Sequence, residues 1–242
     1  MAGAFPQIAS VGLGGLLVRF AAHLSEDANR AALAFRAALE SAGWDGIEEC
    51  ATSLASTFVR FDPLAVDAGA LSARLSALLS EHDWYAMPLP HGRRHFLVPC
   101  AFGGDAGPAF GAAADAAGLS AQAALGALTA APLRVMTIGF APGLPYMGDL
   151  PDFDIPRLKE LVQVPAGGVA LAIRQAIIFP NGSPTGWRHV GQTAFRPFQP
   201  EADQPFTLAA GDEVQFRAVS EDELALIRVA DDPTGGAEVT AL

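Results

Sequence analysis

Two periods alternate along this chain. Between residues 25 and 43, Ala28, Ala31, Ala32, Phe35, Ala38 and Leu39 recur at helical spacing and give one apolar face. Ser25 stands ahead of them as an N-cap, Glu26 and Asp27 suit the positive end of the helix dipole, and Gly43 suits its end. "DAGALSARLSALLSEH" (67–82) predicts a second helix. "LLVRF" (16–20), "IEECAT" (47–52), "STFVRF" (56–61) and "HFLVPC" (95–100) read as strands, with Asp62-Pro63 closing the third. The order β-α-β-β-α-β is that of the split βαβ, ferredoxin-like arrangement. Nothing in that half suggests catalysis.

The pattern changes after residue 92. Residues 107–131 read as two short helices broken at Gly118, with Ser120 capping the second. Beyond them short strands dominate: 133–140, 168–173, 176–180, 193–198, 206–220 and 224–230. Pro-Ala-Gly-Gly (165–168), Pro-Asn-Gly-Ser-Pro (180–184) and Ala-Gly-Asp (210–212) separate them. Many short strands with such turns imply a barrel or a sandwich. The chain therefore reads as an α+β protein of two domains, 1–92 and 93–242.

Composition narrows the function. The formal net charge of -11 and pI of about 4.7 argue against nucleic acid or an anionic membrane as partner. A 51% hydrophobic content in 242 residues is enough for a real core and for some exposed apolar surface. Cys50 and Cys100 lie far apart and read as buried structural thiols. His23, His82, His91, His95 and His189 are scattered outside any HExxH or CxxC context, so no metal site is expected. The apolar N-terminus lacks a basic leader, glycines interrupt it, and Arg19 ends it. A cytoplasmic location without a membrane span is the expectation.

"GFAPGLPYMGDLP" (139–151) is the least ordinary segment. Prolines at 142, 145 and 151 fix φ, and glycines at 139, 143 and 148 permit values that other residues avoid. It has no serine, cysteine, histidine or lysine. Such a loop either plugs one end of a barrel or forms a preorganised binding wall, with Tyr146 and Met147 as adaptable contacts.

This segment, with "IPRL" (155–158), "VPAGGVALAIRQAIIFP" (164–180), "NGSPTGWRHVGQT" (181–193) and "AGDEVQF" (210–216), resembles one family in order and spacing. It is the family of the B-type component of bacterial 5-oxoprolinase, also called allophanate hydrolase subunit 1, or the C/D part of a carboxyltransferase domain. A sporulation-kinase inhibitor belongs to it. "LLVRF" and "VRFDPL" (59–64) extend the likeness over nearly the whole chain. The resemblance implies a cyclophilin-like barrel after the α+β domain. It implies two partners, a homologous C-type component (the A/B half of the carboxyltransferase domain) and a lactam-hydrolase-like A-type component. Together these would open 5-oxoproline to glutamate with ATP. The resemblance also leaves open a protein-binding regulator of the histidine-kinase-inhibitor kind, or a component working beside an allophanate hydrolase or urea carboxylase. No GxxxxGK[ST] occurs here, so ATP would enter with the complex. The isolated chain is expected to be inactive.

The rigid segments are expected to converge on one face of the barrel. The cleft is then walled by Pro142, Gly143, Pro145 and Tyr146, by Pro165 and Gly167, by Arg174 and Gln175, by Pro180, and by Ser183, Pro184, Gly186 and Trp187. Arg157 could grip a carboxylate or phosphate, or make a surface ion pair. Gln175 could hydrogen-bond an amide, or be a satisfied strand residue. Trp187 is a stacking wall or a half-buried barrel residue, and Ser183 reads as a turn hydroxyl. His189 stands where the family is usually apolar, and Gln192 where it is usually basic. No catalytic residue is assigned. The family's glycines near 173–177 are replaced by Ile173, Arg174 and Ile177. If Arg174 points inward it adds a fixed positive charge; if outward, strand alternation turns Ile173 and Ile177 in and closes the cleft.

Overall fold

The computed structural model describes residues 4–242, so the first three residues of the apolar N-terminal stretch lie outside it. The chain divides into two units, one ending at His91 and one spanning Gly92–Leu242.

The first unit holds β1 (Gln7–Ser10), β2 (Gly15–Arg19), α1 (Glu26–Ala42), β3 (Ile47–Ser53), β4 (Ser56–Phe61) and α2 (Ala68–Ser80). Ser25 accepts a hydrogen bond from the Ala28 N–H and Gly43 (φ 55) closes α1, both where the pattern placed them. The Asp67 carboxylate caps α2 through the Ala70 N–H. Val18, Phe20, Phe35, Val59, Phe61 and Leu75 are buried between sheet and helices. The sheet order is β1-β2-β4-β3, antiparallel throughout. This differs from the ferredoxin-like expectation. The strand expected to complete the sheet, at 95–100, does not join it, and β1 takes the place beside β2. A short turn, closed by Val11 N–H to the Gly15 carbonyl at 2.8 Å, brings β1 back on β2 as a hairpin. The absent strand is apolar on both faces from Val98 to Ala101 and needs cover on both sides, which a one-faced sheet does not offer.

The second unit begins with that strand, β5 (Arg94–Phe102). Then come α3 (Phe110–Ala116), α4 (Ala121–Thr129), β6 (Leu133–Ile138), β7 (Pro145–Gly148) and a 3-10 turn at Pro151–Phe153. They are followed by β8 (Val162–Val164), β9 (Gly168–Ala172), β10 (Gln175–Ile178), β11 (Ser183–Thr185) and β12 (Arg188–Gln192). Last come β13 (Glu213–Ala218), α5 (Glu221–Ala230) and β14 (Glu238–Ala241). Seven strands close a barrel in the order β12-β9-β10-β7-β6-β13-β5, with β12 meeting β5 again at Gly191 and Gln192. Closure leaves those strands without a free edge. Val98, Val135, Met147, Leu171, Ile178 and Phe216 belong to the barrel's core.

Three strand expectations are corrected. Residues 224–230 form a helix, because Ser220 caps it through the Glu223 N–H and Glu221, Asp222 and Glu223 fill its first turn. Its apolar residues do not line one strand face: Leu224 is buried, whereas Leu226 and Val229 are exposed. Residues 193–198 carry no strand; the ladder runs just before them, in β12. Of 206–220, only β13 is a strand, and the turn ahead of it is built on Asp212. That carboxylate, 2% exposed, accepts from the N–H groups of Arg94 (2.8 Å) and Ala209 (2.9 Å) and pairs with the Arg94 guanidinium at 2.6 Å. Removing one member of so buried a group costs roughly 2–3 kcal/mol, the part-exposed Arg94 keeping the figure low.

Candidate functional site

β9 and β10 are buried on both faces. Val169, Leu171, Ala176 and Ile178 face the barrel core, while Ala170, Ala172, Ile177 and Phe179 face a second apolar cluster with Leu144, Val164 and Trp187. The β8–β11 ribbon contributes to that outer cluster through Val164. Beside it lies a half-open recess of about 310 Å³. It is lined by Phe140, Leu144, Tyr146, Arg157, Leu161, Ile177, Phe179, Pro184, Thr185, Gly186 and Trp187.

The recess has aromatic walls and one cation. Tyr146 and Trp187 meet edge to face, ring centroids 5.9 Å apart, and the Arg157 guanidinium stands 5.4 Å from the Trp187 ring centre. Burial pushes the Tyr146 hydroxyl pKa up, against a smaller downward pull from Arg157, so the phenol keeps its proton near neutrality. Thr185 Oγ1 accepts from the Trp187 N–H at 3.1 Å. The Leu158 N–H donates to the Gly186 carbonyl at 2.6 Å, and a Cβ at position 186 would lie 2.9 Å from the Leu158 carbonyl oxygen. Glycine there lets the Arg157–Leu158 backbone come close enough to bring the guanidinium over the indole. No lining side chain is a thiol, an imidazole or an amine. The arrangement can bind a flat or apolar group that carries negative charge; it contains no nucleophile paired with a base.

The expected site residues are divided by the fold. Tyr146, Arg157, Pro184, Gly186 and Trp187 meet in the recess, and Ser183 stands next to Pro184 on β11. Pro142 is exposed at the tip of the loop, Gly143 is buried, and Pro145 is buried as the first residue of β7. A Cβ on Gly143 (φ 74) would lie 2.6 Å from that of Phe198, so the loop docks on the barrel there. Of the two readings of the loop, Phe140, Leu144 and Tyr146 give it the part of a wall, since all three line the recess. Leu144 is buried beneath it, while Phe140 stands 87% exposed at the recess. Gly167 and Pro180 line a different cavity, and Pro165 a third.

Arg174 does not face the recess. It and Ile173 are the two residues between the paired ends Ala172 and Gln175, with φ of 65 and 45 respectively. That is the backbone of a type I′ hairpin turn, which needs positive φ at both positions. The family's glycines there fit the turn, not a cleft wall. The Arg174 guanidinium pairs with Asp149, Nε donating to Oδ1 at 2.8 Å, and both side chains are exposed. The alternation expected from Ile173 to Ile177 fails because Ile173 is in the turn: it is 43% exposed, whereas Ile177 is buried. Gln175 is buried beside Gly148, outside the recess lining.

Of the residues lining the recess, the sequence-derived cleft residues did not include Phe140, Leu144, Leu161, Phe179 or Thr185. Phe179 is visible as the end of an apolar run, but only sheet alternation turns it outward into the second cluster. Leu161 carries no signal of its own. Cys100 is fully buried and its thiol pKa is pushed well up; that of half-buried Cys50 rises to about 11, chiefly by burial, so neither is a ready nucleophile. Among the described residues no group of three or more His, Cys, Asp or Glu could hold a metal ion, and no helix is long and apolar enough to cross a membrane.

Residues 6–208 match the family described as carboxyltransferase domain, subdomain C and D. The chain is 27% identical over 233 residues to the 5-oxoprolinase B-type component of Bacillus subtilis (strain 168), covering 90% of this chain and 94% of that protein. The crystal structure of TTHA0988 superposes on 85% of the chain with a TM-score of 0.70 and 30% identity, and the chain spans 40% of that protein. The K. lactis urea amidolyase has the same fold over 97% of this chain and 16% of its own, at a TM-score of 0.72 and 21% identity.

Proposed function

This chain belongs to the family of carboxyltransferase domains, subdomain C and D, and we propose that it is the B-type component of an ATP-dependent 5-oxoprolinase. In this reading it acts with a homologous C-type partner and a lactam-hydrolase-like A-type partner to convert 5-oxoproline to glutamate. The near-full-length similarity to a protein named as the B-type component of 5-oxoprolinase supports the assignment. The observation that carries the division of labour is the recess. It offers aromatic walls, a guanidinium and an apolar floor, but no nucleophile paired with a general base. Such a surface holds a ligand or a partner while other chains supply the reacting groups. ATP binds in the assembled complex, since this chain has no P-loop sequence.

The mouth of the recess favours a protein partner. Phe140 is 87% exposed and Leu161 69% exposed, both beside Arg157 in the same lining. Large apolar side chains around a charged anchor are what a partner interface uses. The same surface suits the regulator reading, in which a kinase replaces the C-type partner.

Co-expression of the chain with a C-type partner and a lactam-hydrolase-like chain tests the proposal. Glutamate formation from 5-oxoproline is expected only with all three chains and ATP, and none from this chain alone. Phe140→Ser with Leu161→Ser is expected to abolish co-purification while leaving the chain folded. A stable three-chain complex without ATP-dependent turnover would refute the oxoprolinase assignment. Unchanged co-purification of the double variant would remove the recess as the contact.

A further inference from the structure

The chain has two asparagines, and the fold treats them oppositely. Asn29 lies in α1, fully buried, with its side-chain amide donating to the Leu54 carbonyl at 2.6 Å and its N–H to the Ser25 carbonyl at 2.9 Å. Asn181 lies in the connection between β10 and β11, exposed, with an exposed Gly182 after it. Among the described residues, neither the Asn181 side chain nor the Gly182 N–H has a hydrogen bond. The fold does not need glycine at 182. Its φ is not in the left-handed region, and a Cβ there would meet only ordinary contacts, 3.5 Å from Gln163 Nε2 and 3.7 Å from the Val164 carbonyl oxygen.

That combination leaves an intramolecular reaction open. The Gly182 main-chain nitrogen, after losing its proton to hydroxide, adds to Cγ of the Asn181 amide. A new N–C bond closes a five-membered succinimide, the bond from Cγ to the side-chain nitrogen breaks, and ammonia leaves with a proton from water. One water then opens the ring at either carbonyl, giving aspartate or isoaspartate. The sum is an amide and water going to a carboxylate and an ammonium ion, with nothing oxidised or reduced. Asparagine is among the chemically labile residues, and three features decide where it reacts. Glycine has no Cβ to crowd the incoming nitrogen. A connection outside the sheet ladder leaves that nitrogen free to approach. Exposure admits hydroxide and water. Asn181 has all three, and Asn29, held in a buried helix and followed by Arg30, has none.

We propose that Asn181 is a site of non-enzymatic deamidation, converting mainly to isoaspartate, and that the change reaches the recess through β11. Isoaspartate routes the main chain through its Cβ and Cγ and so lengthens it by one atom, directly ahead of Ser183–Thr185. Those residues pair with Val162–Val164 to form the β8–β11 ribbon. Pro184 and Thr185 line the recess, and Thr185 Oγ1 accepts from the Trp187 N–H at 3.1 Å. A longer connection shifts β11 and loosens that bond. The link rests on the geometry of the recess and not on what binds there, so it can fail or hold apart from the oxoprolinase reading.

The test is incubation of the full chain at 37 °C, at pH 7 and at pH 8.5, followed by peptide mapping with electron-transfer fragmentation. Asn29 serves as the control in the same digest. Isoaspartate is expected at 181, forming at least tenfold faster than any change at 29, and faster at the higher pH. Gly182→Ala is expected to slow the reaction tenfold or more at an unchanged urea midpoint. The isoaspartyl fraction, separated by anion exchange, should show moved ¹⁵N amide signals for Thr185 and Trp187. Asn181→Asp, which brings the charge without the extra atom, should move them less. Equal rates at 181 and 29, or an unslowed Gly182→Ala, would overturn the site. Aspartate as the only product, at a rate that falls with rising pH, would overturn it too, since direct hydrolysis would then replace the succinimide. An isoaspartyl fraction whose Thr185 and Trp187 signals match those of fresh protein would overturn the link to the recess.

Discussion

Arg157 holds its guanidinium 5.4 Å from the centre of the Trp187 ring, and Trp187 in turn meets Tyr146 at 5.9 Å. One exposed side chain therefore supplies the only charged group among the described residues that line the recess. Its contact with the ring contributes about 0.5–1 kcal/mol to stability at such an exposed site. Its larger effect is on what the recess accepts. Arg157→Ala is expected to leave the urea midpoint nearly unchanged and to weaken association with a partner about tenfold. Arg157→Lys, which keeps the charge and loses the planar fork, should fall between. Surface plasmon resonance against the co-expressed partner gives the comparison, and equal affinity of wild type and Arg157→Ala would exclude the anchor role.

Gly186 is where the 157–158 backbone approaches. Gly186→Ala places a Cβ 2.9 Å from the Leu158 carbonyl oxygen, so that backbone must shift. A loss of about 1–2 kcal/mol in stability is expected, with a weakened Arg157–Trp187 contact visible in the Trp187 indole NMR signal. An alanine variant as stable as wild type, with an unmoved indole signal, would show that the approach is not needed.

The hairpin turn predicts a gain. Ile173 is β-branched and holds φ 45 in a position that favours asparagine or glycine. Ile173→Asn is expected to raise stability by about 1 kcal/mol, measured by urea unfolding. Arg174→Gly, by contrast, should leave recess binding unchanged, because its guanidinium is engaged by Asp149 outside the recess. Lost affinity in Arg174→Gly would contradict that placement.

His189 gives a pH prediction. Its pKa is lowered in the folded protein, mainly by burial, so the unfolded chain binds the proton more readily. Stability then rises with pH wherever the unfolded state is the more protonated. The contribution is fully present above the usual value of 6.5 and is lost as pH falls from there through the lowered folded value. Unfolding midpoints between pH 7.5 and 5 should decline in wild type and less steeply in His189→Phe. Parallel slopes would assign the acid sensitivity to other groups.

Much of this protein is legible in local pattern. The α1 face from Ala28 to Leu39, its Ser25 cap and its Gly43 end are local events, decided within a few residues. The break at Gly118 and the Ser120 cap are of the same kind, and both stand as expected. Residues 224–230 depart from their strand reading because "LALIRVA" suits either period; the acids just before it, taken as cap and first turn, decide for a helix. The rigid loop at 139–151 is recognisable, and Tyr146 with it.

Sequence alone determined the helices with their caps, the change of regime after residue 92, the strand-rich second half and, through long ordered motifs, the family. Tertiary structure decided which surfaces those pieces share. β5 left the first sheet because its two apolar faces needed cover on both sides. Arg174 left the cleft because a two-residue connection between β9 and β10 turned it toward Asp149. Arg157 reached Trp187, thirty residues on, because Gly186 allowed one backbone to lie against another. Caps and periods act over a turn or two of chain, where sequence order is spatial order. Ring closure, cover and close approach depend on residues distant in the chain, and those neighbours exist only once the barrel has formed.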